Sequence, residues 1–204
     1  MNRFYRAGII LPVMLGLACC LFAQDKKKDI PTTPASDSAM AKALDNVITP
    51  GEGQERLEFL VGTFDTKLRT WVDPSKPPVE STALAVNTWV LGKRFVQLTL
   101  KESVEGEPLN AIGYAGFDNV AKMYQTTWMD EGGTGMIWYK GGFDASGKRA
   151  TLKASIPHPL TGKPSPLELR LTIDGHGDHF TELWGMGFGS KMFKMVELRF
   201  TRRK

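Results

Sequence analysis

The sequence is poor in the residues that carry most covalent and metal chemistry. It has two cysteines, Cys19 and Cys20, and three histidines in 204 residues. Both cysteines lie in an N-terminal apolar segment, so a chain cleaved after it has no disulfide and no thiol. The sequence also has no G-x-S-x-G, H-E-x-x-H or phosphate-binding loop, which removes the common signatures of serine hydrolases, zinc peptidases and P-loop enzymes.

Long apolar runs are confined to the N-terminus. Residues 1–6 are basic, residues 7–22 are largely apolar, and Ala23 is a small residue at the expected cleavage position. This layout predicts a secretory signal peptide over residues 1–23. No later segment approaches the roughly 20 apolar residues that a membrane-spanning helix needs. We therefore expect an exported protein, periplasmic or secreted.

A second interpretation of the same segment concerns lipid attachment. Leu17-Ala18-Cys19-Cys20 resembles a bacterial lipobox, in which Cys20 would carry the lipid and tether the domain to a membrane. The alternative is simple cleavage after Ala23. Both interpretations predict export, and a membrane is an expected partner only if Cys20 is lipidated.

Neither sign of charge is in large excess. The formal net charge is +4, and removal of Arg3 and Arg6 with the signal peptide reduces it to +2. Basic residues cluster only at residues 26–28 and 202–204. A nucleic-acid-binding protein would show a basic stripe with interleaved aromatic residues, so nucleic acid is not an expected partner.

The chain downstream of the signal peptide divides into a linker and one domain. Residues 24–37 contain the lysine run and two prolines and predict a flexible linker before a domain over residues 38–204. Apolar residues at helical spacing predict a first short helix, and these are Met40, Leu44, Val47 and Ile48. A second short helix is expected from about Gln54 and ends at Gly62, which accepts positive φ. Such helices commonly cover one end of a sheet.

From Phe64 onward, apolar alternation and turn residues recur about every dozen residues. This rhythm is typical of an all-β sandwich or barrel. Ten antiparallel strands are predicted, over residues 64–72, 79–91, 94–104, 109–117, 122–130, 134–143, 148–156, 167–173, 179–188 and 191–202. Because sequential hairpins leave exposed edges unless the sheet closes, we predict a ten-stranded up-and-down barrel preceded by one or two short helices.

Several short segments, in this order and spacing, are similar to one family. They include Leu60-Val61-Gly62-Thr63-Phe64-Asp65, Gly92-Lys93-Arg94-Phe95, Gly113-Tyr114-Ala115-Gly116-Phe117-Asp118, Trp128-Met129-Asp130 and Glu197-Leu198-Arg199-Phe200-Thr201-Arg202. The sequence thus resembles the exported bacterial lipocalin-like family called "domain of unknown function 1579" over roughly residues 38–204. The resemblance implies a calycin-like barrel and no established activity, so function has to be argued from individual residues.

The resemblance also implies a structural signature at Gly62, Phe64 and Arg202. In calycins, a Gly-x-Trp element opens the first strand, and its Trp packs under an Arg of the last strand. This chain has Phe64 in place of the Trp, which keeps the ring and loses the indole donor. Arg202 is the candidate partner because it shares strand parity with Leu198 and Phe200.

Charged residues on otherwise apolar strand faces are the candidate ligand contacts. Strand parity groups Asp130 with Trp128, Glu182 with Trp184, and Arg94 with the apolar face of its strand. A ten-stranded barrel is wide enough to hold a ligand. We therefore predict a small apolar or amphipathic ligand contacted by Arg94, Asp130 and Glu182 and walled by Trp128, Trp138 and Trp184. Alternatively, these charges lie at strand ends near water or pair with each other.

Other functions have weaker support from the residues. His176, Asp178 and His179 invite a metal site, but they lie in a glycine-rich turn without a fourth ligand. His158 is a candidate haem ligand in a proline-bounded loop, and Asp130 with Glu182 is a candidate acid pair for a weak hydrolase. A third class is a ligand-free interaction or scaffold module with a packed barrel. No cofactor, metal or catalytic residue is predicted, and oligomeric state stays open.

Overall fold

The computed structural model describes residues 37–104, 107–174, 177–187 and 191–204. The predicted signal peptide with its Cys20 lipid site, the predicted linker up to residue 36, and His176 lie outside these residues, whereas residue 37, expected in the linker, begins the first helix. Two helices and a 3₁₀ helix come first, namely α1 (Asp37–Ile48), α2 (Glu52–Glu55) and η1 (Arg56–Leu60). The strands are β1 (Gly62–Thr70), β2 (Val79–Val90), β3 (Phe95–Val104), β4 (Glu107–Asp118), β5 (Met123–Asp130), β6 (Ile137–Phe143), β7 (Arg149–Pro157), β8 (Pro164–Ile173), β9 (His179–Gly185) and β10 (Phe193–Arg202).

The ten strands form one closed antiparallel barrel in chain order. Each strand pairs with its neighbours in sequence, and β1 pairs with both β2 and β10. Closure leaves no free sheet edge, which removes the edge-pairing hazard of an open ten-stranded meander. The predicted all-β up-and-down barrel is confirmed.

The strand starts differ from the predicted ones by at most three residues, at β6 and at β8. Strand β8 was expected at residue 167. It begins at Pro164, and residues 164–166 pair with β7 while the pairing with β9 begins at Leu167. Proline is tolerated where a strand has one neighbour, because fewer ladder hydrogen bonds depend on its missing N–H.

Burial alternates along the strands because side chains point alternately into and out of the barrel. In β1, Phe64, Thr66 and Leu68 are buried, while Asp65 and Lys67 between them are exposed. The inward residues of the other strands continue this core around the barrel.

One end of the barrel is covered by α2 and η1, and we call it the closed end. Leu57 and Leu60 of η1 are buried against Val96 and Ala115. Asn87 Nδ2 donates a hydrogen bond to the Leu60 carbonyl oxygen at 2.9 Å. The second predicted helix therefore closes this end of the barrel, and we call its residues 52–60 the plug.

The first helix behaves differently, although its sequence is also amphipathic. No residue of α1 is buried, and Leu44 is 55% exposed. Polar side chains of the barrel connect to the end of α1, since Arg94 donates to the Ile48 carbonyl at 2.6 Å and Asn119 donates to Asn46 and Thr49 carbonyls at 2.8 Å. The apolar side of α1 therefore adds little to the barrel core.

Candidate functional site

The barrel encloses a cavity of about 400 Å³. The inward side chains of all ten strands contribute to its wall, which is mostly aliphatic and aromatic, for example Leu68, Leu100, Leu152, Leu171, Leu198 and Phe200. Leu57, Phe59 and Leu60 of η1 form its floor at the closed end. The end away from η1 carries Thr70, Asp130 and Val196 on the cavity wall, and we call it the mouth.

Arg202 ties the floor to the barrel. Its guanidinium donates to the Val61 carbonyl at 2.6 Å and to the Phe59 carbonyl at 2.9 Å, and it lies 4.7 Å from the centre of the Phe64 ring. Gly62 has a φ of 137°, and a Cβ there would overlap the Arg202 guanidinium. The guanidinium needs this space, so glycine is required for both backbone conformation and close approach.

His179 lies beside this anchor on the cavity wall. It is 4% exposed, stacks on Phe200 at 4.4 Å between ring centres, and contacts Phe59 and Phe64 edge-on. Its Nδ1 is buried without a hydrogen-bond partner among the described residues. The pKa of His179 is lowered to about 4, chiefly because burial penalises the charged imidazolium. The charge of Arg202 also lowers this pKa, whereas a hydrogen bond to the Gly177 backbone and the charge of Asp178 oppose the shift. The imidazole is therefore neutral at pH 7.

Near the mouth, the cavity wall carries the carboxylate of Asp130. Asp130 Oδ2 accepts a hydrogen bond from the Trp128 indole at 3.0 Å, and Oδ1 accepts one from the Gly132 amide at 3.0 Å. Tyr139 is buried on the neighbouring strand, and burial together with the charge of Asp130 raises its pKa above the ordinary range. This region combines one carboxylate with aromatic surface.

Of the six predicted ligand contacts, the structure places two on the cavity wall. Trp128 and Asp130 line it, as the shared strand face predicts. Arg94 lies in the turn before β3, is exposed, and donates to the carbonyl oxygens of Leu91 and Ile48. The expected interior position of Arg94 is therefore corrected to the outside of the closed end, because the strand begins one residue later.

The remaining three residues lie on the outer face of the barrel, which corrects their expected interior position. Trp138 is 55% exposed, with Lys140 Nζ 4.4 Å from its ring centre. The Trp184 ring lies 4.3 Å from the Arg170 guanidinium. Glu182 accepts hydrogen bonds from Trp184 and Lys194. Cations cover these outward aromatic rings, which explains how they are accommodated on a solvent-facing surface.

This placement separates the candidate acid pair. In β9, Thr181 and Leu183 line the cavity and Glu182 points outward, whereas Asp130 lines the cavity. The two carboxylates lie on opposite faces of the barrel wall and cannot act on one bond from opposite sides. His158 lies in the β7–β8 turn, where its Nδ1 accepts a hydrogen bond from the Leu160 amide. Among the described residues, no three His, Cys, Asp or Glu side chains converge as a metal site.

Sequence reasoning missed His179, Tyr139 and Asn87 as wall residues. Parity does pair His179 with Thr181 and Leu183 in β9, but the opposite face carries Phe180 and Trp184 and looked more apolar. The available signal was the run of cations on adjacent strands at outward positions. These cations can be recognised as neighbours of the aromatic residues only when the strand register is known.

The described part of the chain has no helix that is both long and apolar enough to cross a membrane. Among solved structures, Rv2717c from M. tuberculosis matches with a TM-score of 0.58 at 18% sequence identity. The match covers 76% of this chain and 100% of that chain, and at this identity it supports the fold alone. No curated protein matches the sequence.

The family comparison covers the domain from the residues before α2 to the end of β10. A family model described as "Protein of unknown function (DUF1579)" matches residues 49–202, which include the plug, all ten strands and Arg202. The chain therefore belongs to this family.

Proposed function

We propose that this protein binds a small apolar or amphipathic molecule inside its barrel. The cavity of about 400 Å³ is the observation that carries the proposal. Ligand pockets have volumes of about 300–1,000 Å³ and walls that are mainly apolar with a few polar groups. The wall described above has this composition, and the lipocalin-like family to which the chain belongs is compatible with a binding barrel.

Packing physics favours binding over a closed scaffold. Protein interiors have few voids larger than a water molecule, because lost contacts around a void cost stability. This barrel is plugged at one end by η1 and yet keeps a large apolar space above the plug. A scaffold barrel gains nothing from that space, whereas a binding protein recovers the lost contacts when the ligand enters.

The proposal includes an orientation for the ligand. The floor is formed by Leu57, Phe59 and Leu60, and the anchor at Arg202 holds that floor in place. The apolar body of the ligand lies against the floor, and any polar end lies near Asp130 at the mouth. Entry is from the mouth.

Native mass spectrometry tests the proposal. Residues 24–204, purified gently from the protein's own host, should carry an excess mass that disappears on denaturation. The neutral fluorophore N-phenyl-naphthylamine should also bind with increased emission. A bare native mass together with no fluorophore binding would overturn the proposal.

Matched variants locate the binding to the cavity. Ala111 is buried and lines the cavity, whereas Ala121 is exposed in the β4–β5 turn. Ala111→Leu should weaken fluorophore binding by about tenfold or more, because the larger side chain occupies ligand space. Ala121→Leu should bind like the unmodified protein. Equal weakening by both variants would place the fluorophore elsewhere.

We further propose that the protein is exported, on the basis of the N-terminal segment over residues 1–23. Cell fractionation and the mass of the mature N-terminus test this. A chain beginning at Gln24 supports simple cleavage, and a lipid-modified Cys20 that is lost in Cys20→Ala supports the tethered form. A full-length cytoplasmic chain would contradict both.

A further inference from the structure

We infer that the ligand is a hydrophobic amine, with its apolar body in the cavity and its ammonium group paired with Asp130. The inference rests on the proposed function and names the class of molecule that the site prefers. It depends on the charge of the cavity wall, on the hydrogen bonds of Asp130 and on the aromatic surface beside it.

No oppositely charged side chain accompanies Asp130 among the described residues of the cavity wall. Among the described residues that line the cavity, it is the only carboxylate, and none is a lysine or an arginine. The other ionisable wall residues are His179, Tyr124 and Tyr139; His179 is neutral at pH 7, and burial raises the pKa of both tyrosines. The described part of the cavity wall therefore carries one negative charge and no positive one.

The Asp130 carboxylate also lacks a cationic partner among the residues that the structure describes. Its described hydrogen bonds come from two neutral donors, the Trp128 indole and the Gly132 amide. A carboxylate offers about four acceptor positions, so about two stay available. No ion pair to Asp130 is formed within the described ranges.

Carboxylates on the outer wall show the contrast. Glu197 is buried and paired with Lys194 at 2.5 Å and Arg199 at 3.0 Å, and Glu168 is paired with Arg170 at 2.6 Å. A charge that is partly removed from water is costly without a partner. The described residues supply partners for the carboxylates on the outside of the barrel but none for Asp130 on the inside, and a ligand cation would provide one.

Aromatic surface beside Asp130 suits a cation as well. Trp128 and Tyr139 line the same part of the cavity, and the indole is held in place by its hydrogen bond to Asp130. A cation near an aromatic face gains electrostatic attraction in addition to the ion pair. The charge of Asp130 contributes to the raised pKa of Tyr139, so its negative potential extends along the wall. A carboxylate ligand would be repelled by that potential.

Three probes with the same chain and different head groups test the inference. Octylamine, octanol and octanoate are titrated into the mature protein, with displacement of N-phenyl-naphthylamine as the readout. Octylamine should bind about tenfold more tightly than octanol, because it gains a charge-assisted hydrogen bond, and octanoate should bind most weakly. Equal affinities for octylamine and octanol would overturn the inference and leave the proposed function intact. Failure of all three probes to displace the bound fluorophore would also overturn the inference, whereas the proposed function would still be decided by the native mass and by binding of the fluorophore itself.

Two neighbouring carboxylates provide the matched variants. Asp130→Asn should remove the preference for octylamine and keep octanol binding, which also shows that the variant is folded. Glu131→Gln removes the same charge from the next residue, whose side chain bonds Asn110 outside the cavity wall, and should keep the preference. Loss of the preference in both variants would indicate long-range charge alone and overturn the pairing.

A measurement on the unmodified protein covers the case in which Asp130→Asn does not fold. Added sodium chloride should reduce the preference for octylamine over octanol, because salt screens a half-exposed ion pair, and should leave octanol binding nearly constant. A preference that does not change with salt would contradict an ion pair at the mouth.

Discussion

The closed end and the mouth of the barrel are built from the same ten strands but use polar groups in opposite ways. At the closed end, the Arg202 guanidinium bonds two backbone carbonyls and covers a Phe64 ring. At the mouth, Asp130 meets two neutral donors and no described cation. Internal contacts at one end stabilise the fold, and the free acceptors at the other are available to a ligand. The following predictions test this division.

The largest effect is expected from Arg202→Met. The substitution removes two charge-assisted hydrogen bonds and a cation–π contact, and it leaves the two backbone carbonyls facing an apolar side chain without a donor. We therefore expect a loss of about 3–5 kcal/mol in the free energy of unfolding. Urea denaturation measures it. Arg203→Met is the control, because the ion pair of Arg203 with Asp65 is exposed to solvent and should contribute little to stability. Equal losses would remove the special role of the anchor.

A pair of leucines compares the ends directly. Leu60 is 7% exposed in the plug, and Leu183 lines the cavity nearer the mouth and is only partly buried. Leu60→Ala should cost about 3 kcal/mol and Leu183→Ala about 1–2 kcal/mol, because the second site is already less tightly packed. Thermal unfolding of both variants gives the ranking. The reverse ranking would show that the mouth is the better packed end.

The pH dependence of stability tests His179 at the closed end. Its pKa is lowered from 6.5 to about 4 by burial, so between these pH values the unfolded chain holds a proton that the folded protein lacks. Stability therefore falls as the pH drops from 6.5 toward 4, by up to about 3 kcal/mol, and is unaffected by this group above pH 7. Urea denaturation across that window should show a smaller slope for His179→Phe. Identical slopes for the variant and the unmodified protein would mean that a group other than His179 takes up the proton.

The smallest effect is expected from removal of α1. None of its residues is buried, and the Arg94 and Asn119 hydrogen bonds to its last carbonyls can be replaced by water. A chain that begins at Thr49 should lose less than about 1 kcal/mol in the free energy of unfolding and keep fluorophore binding. A loss comparable to that of Leu60→Ala would make α1 part of the closed end.

Candidate site residues were predictable only where the strand face was unambiguous. Trp128 and Asp130 share a face with Tyr124 and Thr126 in β5, and both line the cavity. In β9 both faces carry large apolar side chains, and the face with Trp184 proved to be the outer one. Alternation has a period of two residues and defines two faces without stating which is inside.

The sequence by itself determined the strand rhythm, the closed antiparallel barrel and the family, because turn residues and alternating apolar residues are local signals. Tertiary structure alone decided three matters. It placed η1 in the floor and left α1 exposed, although both segments are apolar at helical spacing. It turned Trp138, Glu182 and Trp184 outward under cations from neighbouring positions. It also left Asp130 on the cavity wall without a cation from the described residues, since ion pairing depends on contacts between residues far apart in the chain.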